Sequence, residues 1–282
     1  MHDQLQAKYD RLLERLRGLG SVVVAFSAGV DSTLLLHAAR QALGDRVLAA
    51  TGLSETYPEE EIDEARQIAH ELGVRHVLVR TEELTDPRYT MNSHQRCYFC
   101  KNELYGKLRD LARAEGFAAV VDGTNADDLH DFRPGLRAAH RLGILHPLAD
   151  AGLTKQEIRE LSRLFGLRTW DKPASACLSS RFPYGTAITV EKLKQVAAAE
   201  RALRELGFRA FRVRHHDQIA RLELQPEDFP RALACREEIV ARLRAAGYEF
   251  VTLDLEGYRS GSFNRSLPQQ LVSANRREGP LP

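Results

Sequence analysis

The sequence predicts an α/β protein: a doubly wound parallel sheet, followed by a smaller C-terminal α+β unit. Three observations predict it. The run Val22-Val23-Val24-Ala25-Phe26 has no polar side chain and three β-branched residues, as a strand covered on both faces requires. Strand-like and helix-like segments then alternate to about residue 165. Beyond residue 185 the order changes to helix, two alternating strands, helix and strand.

Leu5, Tyr9, Leu12, Leu13 and Leu16 recur at helical spacing and are stopped by Gly18 and Gly20, so the chain opens on an amphipathic helix. After the first strand, Leu34, Leu35, Leu36, Ala38 and Ala39 open a second helix. Further strands are expected at 46–51, 75–79 and 118–122. Helices are expected at 59–72 and 103–115, each ending near a glycine, Gly73 or Gly116. Thr154-Lys155-Gln156-Glu157 has the form of a capping box for a helix reaching about Phe165. The segment 170–184, with Pro173 and Pro183, reads as a hinge. Past it, a helix at 190–206, strands at 210–215 and 219–224, a helix at 229–246 and a strand at 250–255 form the second unit. The expected division is 1–185, 186–267 and a loose tail at 268–282.

Composition narrows the function classes. The 282 residues are 43% hydrophobic and 28% charged, as in a soluble globular protein. A net charge of +1 does not mark the molecule as a nucleic-acid or membrane binder. No apolar run approaches membrane-spanning length, and the polar start Met1-His2-Asp3-Gln4 does not read as a signal peptide. A cytoplasmic protein is expected, in which four cysteines serve as ligands or catalysts rather than as disulfides.

Ser27-Ala28-Gly29-Val30-Asp31-Ser32 occupies the first strand–helix junction. Small and hydroxylated residues there free backbone N–H groups, which with the helix dipole make a seat for phosphate or pyrophosphate. The pattern resembles the SGGxDS loop of the ATP pyrophosphatase (PP-loop) superfamily, whose members adenylate a substrate and expel pyrophosphate. The resemblance makes Ser27, Gly29, Val30, Asp31 and Ser32 ATP-binding residues. Ala28 replaces the usual second glycine, and its methyl group is expected to require a negative φ. No Walker or dinucleotide glycine pattern occurs. Asp122-Gly123-Thr124-Asn125-Ala126-Asp127-Asp128 follows a later strand and is expected at the same sheet edge. Its carboxylates, Asp127 among them, could hold Mg²⁺ or the ATP, although a plain polar turn has the same composition.

Cys97-Tyr98-Phe99-Cys100 could be half a zinc site, a redox dithiol or part of an iron–sulfur ligand set. There is no second C-x-x-C for a zinc ribbon, and the preceding residues 90–96 do not read as the strand a thioredoxin-like motif follows. Cys177, in the hinge, could complete three thiolates for a [4Fe–4S] cluster with one open iron. Zinc on these three thiols and His94 is the competing arrangement. Cys235 lies within the 229–246 helix and reads as packing.

Together, Cys97-Tyr98-Phe99-Cys100-Lys101, the 122–128 motif with Arg133-Pro134-Gly135, the 170–184 segment around Cys177 and Gly257-Tyr258-Arg259-Ser260-Gly261-Ser262 resemble the LarE family. The likeness runs from about Leu5 to Leu267. These are ATP-dependent sulfur transferases of nickel-pincer nucleotide assembly. The resemblance implies that carboxylates of pyridinium-3,5-biscarboxylic acid mononucleotide are adenylated, and that sulfur then displaces AMP to give thiocarboxylates. One branch of the family sacrifices the cysteine matching Cys177. In another, the equivalents of Cys97, Cys100 and Cys177 hold a [4Fe–4S] cluster that carries an extra sulfide, and the presence of all three places the expectation there. Ser180, Arg212, Arg214 and Arg259 match residues that bind the mononucleotide phosphate or line its pocket. Glu200 and Glu223 match acidic residues linked to metal.

Arg212 and Arg214 alternate on one expected strand, so both point to one face, where mutual repulsion calls for an anion between them. The expected partners are the mononucleotide and a sulfide source, with further copies of the chain in a homo-oligomer and neither nucleic acid nor membrane. An ATP-dependent tRNA thiolase is the alternative enzyme, but it would need an extended basic surface. A non-catalytic nucleotide sensor would leave the three cysteines without a purpose.

Overall fold

A computed structural model describes residues 3–130, 134–173 and 176–259. Arg133, Ala174, Ser175, the 260–262 part of the glycine motif and the 268–282 tail lie outside the described residues.

Strands β1 (Val22–Ala25), β2 (Val47–Leu53), β3 (Arg75–Arg80) and β4 (Ala119–Asp122) form one sheet in the order β3-β2-β1-β4, every neighbouring pair parallel. Alternation along β1 divides the core. Val22 and Val24 pack with Leu12 and Leu34 of helices Asp3–Leu19 and Val30–Leu43. Val23 turns to the other face, against Leu104 and Leu108 of helix Arg96–Ala114. Helices cover both faces, so the sheet is doubly wound. Because β1 has β2 on one side and β4 on the other, the chain reverses its direction of travel across the sheet at this point. A crevice therefore opens at the carboxyl ends of β1 and β4.

The second sheet holds β5 (Phe211–His216), β6 (Ile219–Leu224) and β7 (Phe250–Leu253), with β5 antiparallel and β7 parallel to β6. Phe211, Val213, Leu222 and Leu224 meet Leu243 and Tyr248 in its core. Helix Val190–Glu205 serves two cores. Its Ala199 and Leu203 enter this one, while Leu193 and Val196 join Tyr89, Leu178 and Phe182 in a separate cluster against Phe99 and Cys100. No helix among the described residues is long and apolar enough to cross a membrane.

Two elements differ from expectation. The helix expected from residue 103 begins at Arg96, so both cysteines of the C-x-x-C lie in its first turns. Its first residues show no apolar period; the burial of Arg96 determines their course, overriding local propensity. The helix expected at 229–246 is two, Phe229–Ala234 and Arg236–Ala245, interrupted at Cys235, whose φ of −104° and ψ of 23° leave the helical region.

Ala28 overturns a backbone expectation. Its φ is +53°, not negative. The left-handed region costs an L-residue about 1–2 kcal/mol. Its methyl group is fully buried in the core, which returns about 0.8 kcal/mol. The two effects nearly cancel, so Ala28→Gly should change stability by less than about 1 kcal/mol. Ala28→Val, branched and at positive φ, should cost more than about 2 kcal/mol in urea unfolding. Equal stability of the two variants would contradict this conformation.

Candidate functional site

The loop after β1 closes on itself through one hydroxyl. Ser32 Oγ accepts from the Ser27 amide at 3.3 Å, lies 3.2 Å from Ser27 Oγ and donates to the Gly29 carbonyl at 3.2 Å. Gly29 caps helix Val30–Leu43 without a side-chain hydrogen bond. The first-turn amides of Val30, Asp31 and Ser32 thus have no intrahelical acceptor, at the positive end of the dipole. Two lysines stand beside them. Lys155 pairs with Asp31, and Lys172 donates to the Ala28 carbonyl at 3.0 Å while pairing with Glu64 at 2.5 Å.

The loop after β4 presses directly on this one. A Cβ at Gly123 would stand 2.9 Å from the Ser32 nitrogen, so only glycine permits the approach. Asn125 Nδ2 donates to Asp31 at 3.2 Å, and its Oδ1 accepts from the amides of Asp127 and Asp128. Asp127 accepts from the Lys155 amide at 2.8 Å. Beneath them, buried Asp122 accepts from Tyr105 and from Thr124 N, and lies 2.7 Å from His146 Nδ1. Burial raises the Asp122 carboxyl, but the hydrogen bond and charge of His146 outweigh it and hold the group at about 2. Burial opposes charge on His146, yet Asp122 keeps its imidazole above the ordinary range.

The three thiols share one neighbourhood. Cys97 is exposed and Cys100 half-buried at the start of helix Arg96–Ala114. Cys177 arrives on the hinge, where the Leu178 amide donates to the Thr56 carbonyl at 2.9 Å, just past β2. Burial pushes the Cys100 thiol well above its ordinary value, reinforced by Glu83 and Cys177. Burial likewise raises Cys177, Cys97 adding to it while Arg96 and Arg181 oppose. Tyr57 rises through its proximity to Cys100, its burial and Cys177. Among the described residues, no three His, Cys, Asp or Glu side chains are gathered tightly enough to form a ready metal cage.

Arg181 anchors the hinge. Its Nε and Nη2 make a two-pronged pair with Glu200 at 2.7 and 2.8 Å, while Nη1 donates to the Ala176 and Cys177 carbonyls and to Ser180 Oγ. Glu200 also accepts from Val213 N at 3.1 Å, tying the hinge to β5. Arg212 and Arg214 share a face of β5, as their spacing requires. Their repulsion is offset from within the protein. Arg214 pairs with Glu223 at 2.7 Å and donates to the Ser180 carbonyl at 2.8 Å. Arg212 stacks on Tyr258 at 5.0 Å. Arg259, next to Tyr258, donates to the Glu256 carbonyl at 3.3 Å. Glu200 and Glu223 thus each hold arginines.

The residues at the phosphate loop, 122–128 and the thiols come together at the carboxyl edge of the first sheet, with Ser180 and Arg214 adjoining through the hinge. Sequence reasoning missed Lys172, Gly123, Arg96 and the anchoring role of Arg181. Only Gly123, inside an otherwise polar motif, carried a visible signal.

The asparagine synthase family model matches residues 9–223. The chain is 46% identical to an uncharacterised protein of Synechocystis sp., over 93% of this chain and 99% of that one. It is 41% identical to the pyridinium-3,5-bisthiocarboxylic acid mononucleotide synthase of Lactiplantibacillus plantarum, over 93% and 96% respectively. A tRNA-specific 2-thiouridylase of Halothermothrix orenii is 26% identical over 55% of this chain and 54% of its own.

The Asp122–His146 pair gives a pH signature. Its depressed Asp122 stabilises the fold above the unfolded carboxyl value of about 4, an effect lost as pH falls toward 2. Its raised His146 stabilises fully below about 6.5, an effect lost as pH climbs through the higher folded value. Urea unfolding should therefore show wild-type stability falling from pH 6 to pH 9 more steeply than that of His146→Gln. Parallel slopes would contradict the pairing.

Proposed function

The chain belongs to the asparagine synthase family and, within it, with the pyridinium-3,5-bisthiocarboxylic acid mononucleotide synthases as an ATP-dependent sulfurtransferase; from that premise we propose its substrate and sulfur chemistry. The substrate is pyridinium-3,5-biscarboxylic acid mononucleotide, and the product is the thiocarboxylate used in nickel-pincer nucleotide assembly. The observation that carries the reading is the shared edge: the phosphate loop meets the hinge through Lys172, and the same hinge, tied to Thr56 by Leu178, carries Cys177 beside Cys97 and Cys100.

In the first step a substrate carboxylate attacks the α-phosphorus of ATP, and the bond to the pyrophosphate oxygen breaks. The amides of Val30, Asp31 and Ser32, with Lys155 and Lys172, receive the charge that develops on pyrophosphate. Asp31 and Asp127 are oxygen donors of the kind Mg²⁺ takes. In the second step sulfur forms a bond to the acyl carbon, and AMP leaves with the electron pair. The direct loss of oxide is thereby avoided.

The donor set fits a [4Fe–4S] cluster on Cys97, Cys100 and Cys177. The three thiols are neighbours, and Arg96, 6% exposed with an Nε unpartnered among the described residues, supplies a buried cation to balance an anionic group. Such a cluster, when bound, supplies an iron position not taken by a thiolate and open to sulfide. Burial raises the free Cys177 thiol, so ligation to a cluster and attack by the free sulfur would both require its deprotonation. Ser180, Arg212, Arg214 and Arg259 take the mononucleotide phosphate, with Glu200 and Glu223 positioning the arginines. Residues 186–267 act as the substrate and oligomerisation unit. Its strand β7, at the sheet edge among the described residues, exposes Phe250 beside Ile219 and suits homo-oligomer contacts in the cytoplasm.

Anaerobically purified protein should be brown, and Cys97→Ala, Cys100→Ala and Cys177→Ala should each remove the colour. A colourless, zinc-loaded wild type would overturn the cluster. Pyrophosphate release should depend on the mononucleotide, and Asp31→Ala or Ser32→Ala should impair it while leaving the colour. Arg212→Ala and Arg214→Ala should raise KM for the mononucleotide about 10- to 100-fold, the worth of a charge-assisted hydrogen bond, with little change for ATP. Equal effects on both substrates would place the arginines elsewhere.

A further inference from the structure

Arg96 is a buried cation without a carboxylate partner among the described residues. Only 6% of it is exposed. One nitrogen, Nη1, donates to the Asn92 side chain and, at 2.8 Å, to the Ser179 carbonyl. Both acceptors are neutral. The Nε–H, shut off from water, has no hydrogen-bond partner among the described residues. A buried guanidinium normally meets a carboxylate, as Arg181 and Arg214 do in this molecule. Its charge and unused donor therefore call for an anion that no carboxylate among the described residues supplies.

The position specifies what that anion is. Arg96 directly precedes Cys97, and the Ser179 carbonyl it grips lies two residues from Cys177, whose carbonyl accepts from Ser180 N in the same turn. Phe99 and Cys100 border the apolar cluster of Tyr89, Leu178 and Phe182 below. No carboxylate pairs with Arg96 among the described residues. The ionisable groups beside it are the sulfurs of Cys97 and Cys177, with the phenols of Tyr89 and Tyr184.

We propose that Arg96 is a positioning residue for the anionic sulfur this site delivers, holding sulfide, whether free or borne by a thiol-ligated cluster, through its charge and an Nε–H···S hydrogen bond. The inference rests on the three-thiol reading and adds what binds the transferable atom. It gives a residue next to the C-x-x-C a role that the thiols cannot perform, since sulfide and thiolates repel one another. A hydrogen bond and a positive charge at sulfur also stabilise the reduced state of an iron–sulfur centre.

The test is titration of sodium sulfide into anaerobic wild type, Arg96→Gln and Arg96→Lys, with matched iron content, followed by absorbance and electron paramagnetic resonance. The same titration on metal-free protein distinguishes free from cluster-borne sulfide. Arg96→Gln should weaken sulfide binding at least tenfold and move the midpoint potential to more negative values. Arg96→Lys, which keeps the charge but not the Nε fork, should show the same changes to a smaller degree, and it carries the test if the glutamine variant does not fold. Sulfide affinity and potential unchanged in either folded variant, with only thermal stability lowered, would reduce Arg96 to a brace between Asn92 and Ser179 and overturn the inference. Iron-free wild type would overturn the cluster reading alone if its sulfide binding still depended on Arg96, and both if it did not.

Discussion

The placement of Cys177 depends on the buried pair between Arg181 and Glu200. The hinge that bears this cysteine has little regular structure of its own, and a flexible loop cannot aim a thiol. Arg181 solves this by gripping the hinge backbone at Ala176 and Cys177 with one nitrogen and Glu200 with the other two. Glu200 in turn holds the amide of Val213. Both side chains are almost wholly buried, so removing one partner would leave an unpaired charge at a cost of about 3–5 kcal/mol. The same contact joins the hinge to the second sheet, so Cys177 and the arginines of β5 keep one mutual geometry.

The first sheet supplies the other half of the arrangement. Its reversal at β1 and β4 opens a crevice where the amides of a helix N-terminus point outward. Gly123 lets the second loop close to backbone contact with the first. Lys172 then links the crevice to the hinge that carries Cys177. In the proposed reaction, nucleotide activation and sulfur delivery would need this proximity, because an acyl-adenylate exposed to water would hydrolyse before it met its nucleophile.

Much of this was legible in the sequence, and the reasons for success and failure are physical. The buried strands announced themselves by unbroken apolar runs, and the capping box at Thr154 formed as read, its side chain and that of Glu157 exchanging hydrogen bonds with the backbone. Local signals failed where tertiary contacts decide. The start of helix Arg96–Ala114 carries no apolar period, because its first turn is fixed by a buried arginine and not by a hydrophobic face. Ala28 takes a glycine conformation because the core rewards its methyl group, a term no local rule contains. The Arg212–Arg214 repulsion pointed to an anion; the sequence could not show that Glu223, on the neighbouring strand, already meets Arg214. Partner choice among charged residues is set by strand register, which a single sequence states only weakly.

The central claim is that Cys177 stands within reach of Cys97 and Cys100 in the folded chain. Reaction of the metal-free, reduced protein with a short bifunctional thiol reagent, followed by peptide mass mapping, measures this directly. The account predicts a cross-link between Cys177 and the Cys97–Cys100 peptide that disappears in denaturant, with Cys235 left out. A folded protein that links Cys97 only to Cys100, and leaves Cys177 singly labelled, would contradict it.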